Sequence, residues 1–317
     1  MKHTISIALL FLSTVVLLTP GHSKTIALSF DDAPRGKGPL FTGEQRSVEL
    51  TKKLEQHSAK PVVFFVTTRE IETGKNRERI HRYAKAGHLI ANHSHSHPWA
   101  HKTDSDKYVA DIKQANSLLT GFDNRRPWYR FPYLDEGRTL EQRNRLRNEL
   151  DQMELMNGYV TVDNYDWYIE GKWQEAVDND QPVNIEALGE AYIEMLLSAV
   201  QFYDQLAVDT LSRSPHHVLL LHENDLAALF IGDLIEALKA QGWKIISPDE
   251  AYTDPIANYQ PTTLRTGQGR IAAMAHDKHS KDQEKSKKLR KRLSHLAIEE
   301  TLIDDLLSRK NVFQEQE

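Results

Sequence analysis

The chain has 317 residues, of which 39% are hydrophobic and 27% charged, with a net charge of −5 and no cysteine. That length suffices for one large domain or two small ones with a substantial core, and the charge offers no global attraction for nucleic acid. Without cysteine there can be no disulfide, no thiolate nucleophile, no Cys-ligated zinc and no lipid-modified N-terminal cysteine.

The N-terminus reads as a targeting segment. Lys2 and His3 precede an apolar run from Ile5 to Leu18, Pro20 and Gly21 break it, and Gly21-His22-Ser23 puts small residues at −3 and −1 of a cleavage site. The run is shorter than the roughly 20 residues that span a bilayer. Residues 1–23 are therefore expected to be a secretory signal peptide, giving an exported protein, periplasmic or secreted, without stable membrane insertion.

Seven short apolar runs follow as expected strands: Thr25–Phe30, Val62–Val66, Leu89–Ala91, Trp128–Arg130, Tyr159–Val162, Val218–Leu221 and Trp243–Ile246. Helices are expected at Ser47–Gln56, Ile80–Ala86 (stopped by Gly87) and Ile231–Gln241. Buried strands alternating with helices predict a parallel sheet covered by helices, and about seven such units predict a distorted (β/α) barrel. Trp167 to about Leu188 is expected to be an irregular acidic and aromatic insertion walling a groove. Residues 256–317 are expected to form a C-terminal helical appendage. Lys278 to Arg292 carries eight Lys or Arg against two acids, which reads as a solvated basic face, with anchoring on an anionic surface as the functional alternative. The domain layout is thus 1–23, 24–255 and 256–317.

The chemistry lies at the strand ends. Asp31 and Asp32 close the first strand, and His93 and His97 follow the third about sixty residues later. Two buried carboxylates side by side are costly without a cation, so one can ligate a metal while the other serves as a base. A lone His-x-x-x-His is often an ordinary surface pair, but the Asp pair strengthens the metal reading. In a strand, His93, His95 and His97 would all point one way as a three-His site. In a helical turn, His93 and His97 would share a face and His95 would turn away. The turn is the favoured reading, because the strand is already supplied by Leu89–Ala91. Arg130, Asp166 and His222 also fall at or just after strand ends.

With these residues in view, the sequence resembles the polysaccharide deacetylases of the NodB-homology type, carbohydrate esterase family 4. Five segments match in order: Ser29-Phe30-Asp31-Asp32-Ala33-Pro34, His93-Ser94-His95-Ser96-His97-Pro98, Arg130-Phe131-Pro132-Tyr133, Asp163-Asn164-Tyr165-Asp166-Trp167 and Leu219-Leu220-Leu221-His222. The resemblance implies the NodB-homology fold over residues 24–255, with Asp31 as general base. It implies Zn²⁺ (or Co²⁺, Ni²⁺ or Fe²⁺) on Asp32, His93 and His97, with a bound water that attacks the acetyl carbonyl. It also implies Arg130 paired with the base, the Tyr133 backbone N–H in the oxyanion hole, and His222 as general acid oriented by Asp166. Tyr133, Trp167 and Leu220 would contact the substrate. The implied activity is removal of N-acetyl groups from GlcNAc-containing glycans, chitin oligosaccharides or peptidoglycan. O-acetyl xylan esterase activity and non-catalytic glycan binding are the alternatives.

The sequence departs from the family pattern at Ala33 and Leu134, where glycine is usual, and at Glu223, where Asp is common. None of these is an expected ligand. Two histidines and one carboxylate also describe non-haem Fe(II) oxygenases, but those would leave Asp31 and His222 without a role. Metal phosphatases usually carry a second metal with more carboxylates.

Overall fold

The computed structural model describes residues 24–314 apart from Lys60, Thr73 and Ile298, and not the side chains of residues 294–299. The expected leader at 1–23 lies outside the described residues. The strands are β1 Thr25–Ala33, β2 Val63–Val66, β3 Leu89–Asn92, β4 Arg125–Tyr129, β5 Met156–Asn157, β6 His216–His222 and β7 Lys244–Ile245. The helices are α1 Gly43–Gln56, α2 Gly74–Lys85, α3 Ser105–Leu118, α4 Leu140–Gln152, α5 Asp166–Asp178, α6 Ile185–Leu211, α7 Asp225–Ala240, α8 Pro248–Ala251, α9 Gly269–Lys278, α10 Gln283–Ala297 and α11 Glu299–Arg309.

The sheet runs β5-β4-β3-β2-β1-β6, with β7 beside the start of β1, and every pairing is parallel. It curls into a distorted (β/α) barrel. β1 is buried along almost its whole length, as a strand covered on both faces must be. It pairs with β6 from Thr25–His216 through to Asp31–His222. This register sets two of the expected catalytic residues side by side at one mouth of the barrel.

Several elements differ from the sequence reading. The fifth strand is Met156–Asn157, and the expected Tyr159–Val162 is instead a crossing segment. The Gly158 N–H still donates to the Tyr129 carbonyl of β4 (2.8 Å), while Thr161 and Val162 donate to Val218 of β6 at 3.0 and 3.1 Å. The bend sits at Gly158, where a Cβ would lie 2.6 Å from the Phe65 ring. The segment thereby bridges the two edges of the curled sheet.

The expected irregular insertion at Trp167–Leu188 is largely helical, comprising α5 and the start of α6. Ile169, Trp173 and Ala176 recur at helical spacing and are buried, an apolar stripe that the surrounding acids and Gly171 hide in the sequence. The helix α6 repeats the pattern through Leu188, Tyr192, Leu196, Ala199, Tyr203 and Leu206. The expected helices also begin earlier than read: α1 at Gly43 rather than Ser47, α2 at Gly74 rather than Ile80, and α7 at Asp225 rather than Ile231. Thr42 and Gln45 form a reciprocal capping box that satisfies the first free amides of α1.

The helices after Pro255 pack into the same hydrophobic core. Ile271, Ala272, Leu289, Leu293, Ile303, Leu307 and Val312 are buried in one cluster with the barrel residues. Lys278 donates to the Asp209 and Thr210 carbonyls at the end of α6 (both 2.8 Å), where a cation complements the helix dipole. Arg292 pairs with Asp209 at 2.6 Å. Part of the basic segment is thus engaged with α6 rather than wholly solvated.

Candidate metal and catalytic cleft

Asp31 and Asp32 end β1 with opposite surroundings. Asp31 is buried, and its Oδ1 accepts from Arg130 Nη1 at 2.5 Å. Arg130 has no exposed surface. It also donates to the Gly158 carbonyl (2.7 Å), Ser29 Oγ (2.9 Å) and Tyr252 Oη (3.2 Å), and its guanidinium lies 3.8 Å from the Phe65 ring centre. With every side satisfied, this cation is fixed in place and fixes Asp31 with it.

Asp32 has φ +64°, a left-handed conformation that is uncommon for a non-glycine residue. This twist turns its carboxylate away from Arg130 toward His97 Nε2 (3.1 Å) and His93 Nε2 (3.5 Å). Burial opposes ionisation of Asp32, but the bonds to the two histidines outweigh it and hold its carboxyl well below the usual range.

The histidine segment is a bent loop rather than the expected helical turn. Ser94 and His97 both have positive φ, at 72° and 57°. The loop is tied by the His97 N–H donating to Ser94 Oγ (2.9 Å) and by Asp111, which accepts from the His95 and Ser96 amides. His93 and His97 still converge, with ring centres 4.9 Å apart. His95 turns away to Thr68 and Gln114. His93 Nδ1 lies 2.9 Å from the Arg130 carbonyl. A carbonyl can only accept, so Nδ1 carries a proton, which leaves Nε2 as the ring nitrogen directed at Asp32 and the one a metal could use. One ligand atom from each of Asp32, His93 and His97 lies within 4.8 Å of the others. Two imidazoles and a carboxylate at this spacing can hold a divalent metal ion.

His222 stands across from Asp31 on β6. Its Nδ1 meets Asp166 Oδ1 at 2.6 Å, and its backbone N–H donates to Asp166 Oδ2 at 2.8 Å. Asp166 opens α5 and is itself held by its N–H donating to Asn164 Oδ1 at 2.9 Å. Burial would lower the His222 pKa, but the Asp166 carboxylate outweighs it and pushes the imidazole up to about 9.

Tyr133 and Trp167 are about half-exposed and line the cleft, as does the buried Leu220. Tyr133 stacks flat on Trp99, with ring centres 3.6 Å apart, and Trp167 stacks on Tyr165 at 5.6 Å. Every expected site residue is therefore in this one cleft or directly behind it. Arg35, Trp99 and Gly267, which the sequence did not single out, also line it, as does Asp163, which lies in the fourth matching segment but had no role assigned. Burial pushes the Asp163 carboxyl up to about 7 against the bond from the Asn164 amide. Trp99, one residue past the His93–Pro98 motif, was the most readable of these. Gly267 had no local signal.

This fold and cleft define a class: the chain resembles the polysaccharide deacetylases of the NodB-homology type, and a polysaccharide deacetylase family model matches residues 19–153. A peptidoglycan-N-acetylglucosamine deacetylase from Bacillus cereus is 31% identical over 153 residues, 47% of this chain and 48% of that one. The match thus spans about half the length of that relative. A chitin deacetylase from Colletotrichum lindemuthianum is 25% identical over 244 residues, 74% of this chain and 82% of the relative. The solved structure of a polysaccharide deacetylase from Bacillus cereus superposes with a TM-score of 0.51 at 21% identity, covering 71% of this chain and 91% of that one, a likeness of fold. No helix among the described residues is long and apolar enough to cross a membrane.

Proposed function

We propose that this protein is an exported, metal-dependent hydrolase that removes N-acetyl groups from GlcNAc-containing glycans, either chitin oligosaccharides or peptidoglycan. The observation that carries the reading is the register of β1 with β6: Asp31 and His222 are direct neighbours across the strands, beside the trio Asp32, His93 and His97. A base, an acid and an open metal-ligand set in one cleft are the parts that amide hydrolysis needs.

Two imidazoles and one carboxylate suit Zn²⁺, and three protein ligands leave open the position that a catalytic site requires. Asp32, His93 and His97 would hold it, and when bound it would lower the pKa of water and polarise a carbonyl. Asp31 Oδ2 faces the trio, 3.7 Å from His93 Nε2, and takes the proton of the attacking water. Arg130 orients Asp31 and balances its charge. The Tyr133 backbone N–H donates to the oxyanion. His222 carries a proton at neutral pH because of Asp166, and it gives that proton to the departing amine, which would otherwise leave as an anion. Trp167, Tyr133 and Leu220 hold the sugar and its acetyl group.

Residues 24–255 form the catalytic unit and 256–317 the extension, with 1–23 as the cleaved leader. The names of the relatives, peptidoglycan and chitin deacetylases, support this substrate class. Acetate release would be measured from chitooligosaccharides, peptidoglycan fragments and acetylxylan, with chelator and with added Zn²⁺. Metal-dependent acetate from one of the first two is expected. Acetate from acetylxylan alone would replace the reading with the esterase alternative, and acetate from none of them would reject it.

A further inference from the structure

We infer that the C-terminal extension supplies a positioning residue of the cleft: Thr266 braces the Tyr133–Leu134 turn. The inference rests on the deacetylase reading, in which the Tyr133 N–H meets the reacting carbonyl.

The turn needs a brace. Tyr133 and Leu134 have φ values of 57° and 53°. Two consecutive non-glycine residues in the left-handed region are strained and persist only where the surroundings hold them. Glycine at position 134 would relieve half of the strain, but this chain has leucine.

Within the turn, Leu134 donates to the Phe131 carbonyl (3.0 Å) and Asp135 to the Pro132 carbonyl (3.1 Å). Further on, His101 holds Asp135, while Arg147 and Asn157 hold Glu136. These outer contacts grip the chain after the strained pair. Thr266 grips the pair itself. Its hydroxyl donates to the Leu134 carbonyl at 2.9 Å and lies 3.5 Å from the Glu136 amide.

Thr266 is in turn fixed to the barrel. The Gly269 N–H donates to the Thr266 carbonyl (2.9 Å), and the Arg270 N–H donates to the Val160 carbonyl (2.8 Å). Gly269 has φ +81°, and a Cβ there would lie 2.9 Å from the Val160 oxygen, so only glycine permits the approach. The Arg270 guanidinium covers the Tyr159 ring at 4.4 Å. The neighbouring Gly267 reaches the cleft wall beside Tyr133. A loop about 130 residues away in sequence thus holds the Tyr133–Leu134 turn.

The test uses the full chain as wild type, Thr266→Val and Thr266→Ser. Valine keeps the shape and loses the hydroxyl, whereas serine keeps the hydroxyl. Valine is expected to lower kcat about ten- to a hundredfold with KM within about twofold, because a small misplacement of a transition-state donor acts on kcat. It should also speed hydrogen exchange at the 134–136 amides while the His93–His97 loop is unchanged. Serine should restore both. Unchanged kcat and exchange in the valine variant would overturn the inference, as would serine failing together with valine. If the wild type releases no acetate, the deacetylase reading fails instead, and the exchange data alone decide whether Thr266 braces the turn.

Discussion

The two walls of the cleft are built on opposite plans. The wall that carries Asp31, Asp32, His93 and His97 comes from two short motifs at the ends of β1 and β3; the parallel sheet brings the motifs together, and left-handed residues at Asp32, Ser94 and His97 aim the side chains. The wall that carries Tyr133 comes from a strained turn held by a loop far along the chain, by a hydroxyl–carbonyl bond spanning 132 positions. The charged groups that would meet a metal and a proton start from adjacent strand ends and are held there by local hydrogen bonds. The Tyr133 wall depends instead on contacts from distant parts of the chain, so a change there reaches the groove and the turn together.

The comparison breaks most sharply at Asp31. Asp31→Asn keeps the shape and removes the base, so kcat should fall about 10²–10⁴-fold, the usual worth of general base catalysis, while metal content measured by elemental analysis stays the same. His222→Asn comes next. It should cost about 10²-fold or more on an N-acetyl amide and far less on an activated acetyl ester, whose leaving group needs no proton. Equal losses on the two substrates, compared in parallel assays, would remove His222 from the acid role.

The other plan is probed by stability. Leu293 of the extension is buried in the same cluster as the barrel. Leu293→Ala should destabilise the protein by about 3 kcal/mol, within the range for such truncations, in one cooperative transition. A separate early transition in calorimetry would make the extension an independent unit.

The smallest effect concerns His88, which precedes β3. Burial pushes its pKa down to about 4, below the roughly 6.5 of an unfolded histidine. The fold therefore favours the neutral ring. The contribution is full above about pH 6.5 and is lost as the pH falls toward 4, amounting to a loss of about 2 kcal/mol at pH 5. Melting temperatures between pH 7 and 5 should fall less steeply in His88→Asn than in wild type.

The sequence made β1, β2, β3 and β6 readable because parallel strands buried on both faces are continuous apolar runs, whereas β5 at Met156–Asn157 has no such run and was missed. It made the metal-ligand trio readable because strand ends bring short motifs together. It did not reveal that the His93–His97 loop reaches its convergence through left-handed residues rather than a helical turn, since serine and histidine do not announce that conformation. It did not reveal α5 either, because Gly171 and the surrounding acids mask the stripe Ile169, Trp173 and Ala176. The bracing of Leu134 by Thr266 has no local trace at all: a threonine in a polar stretch shows nothing until the fold brings it to the turn. Trp99 carried a weak signal, an aromatic just past a ligand motif.

In the proposed reaction, Asp31 works beside a metal held by Asp32, His93 and His97. The most direct test is acetate release from a GlcNAc oligomer or a peptidoglycan fragment by chelator-treated protein titrated with Zn²⁺, for wild type and Asp31→Asn, with bound zinc measured in each. Wild-type activity is expected to rise with bound zinc and saturate at one ion per chain, and Asp31→Asn is expected to bind the same zinc with little acetate released. Wild-type activity that survives zinc removal, or an Asp31→Asn variant as active as wild type, would contradict the proposed reaction.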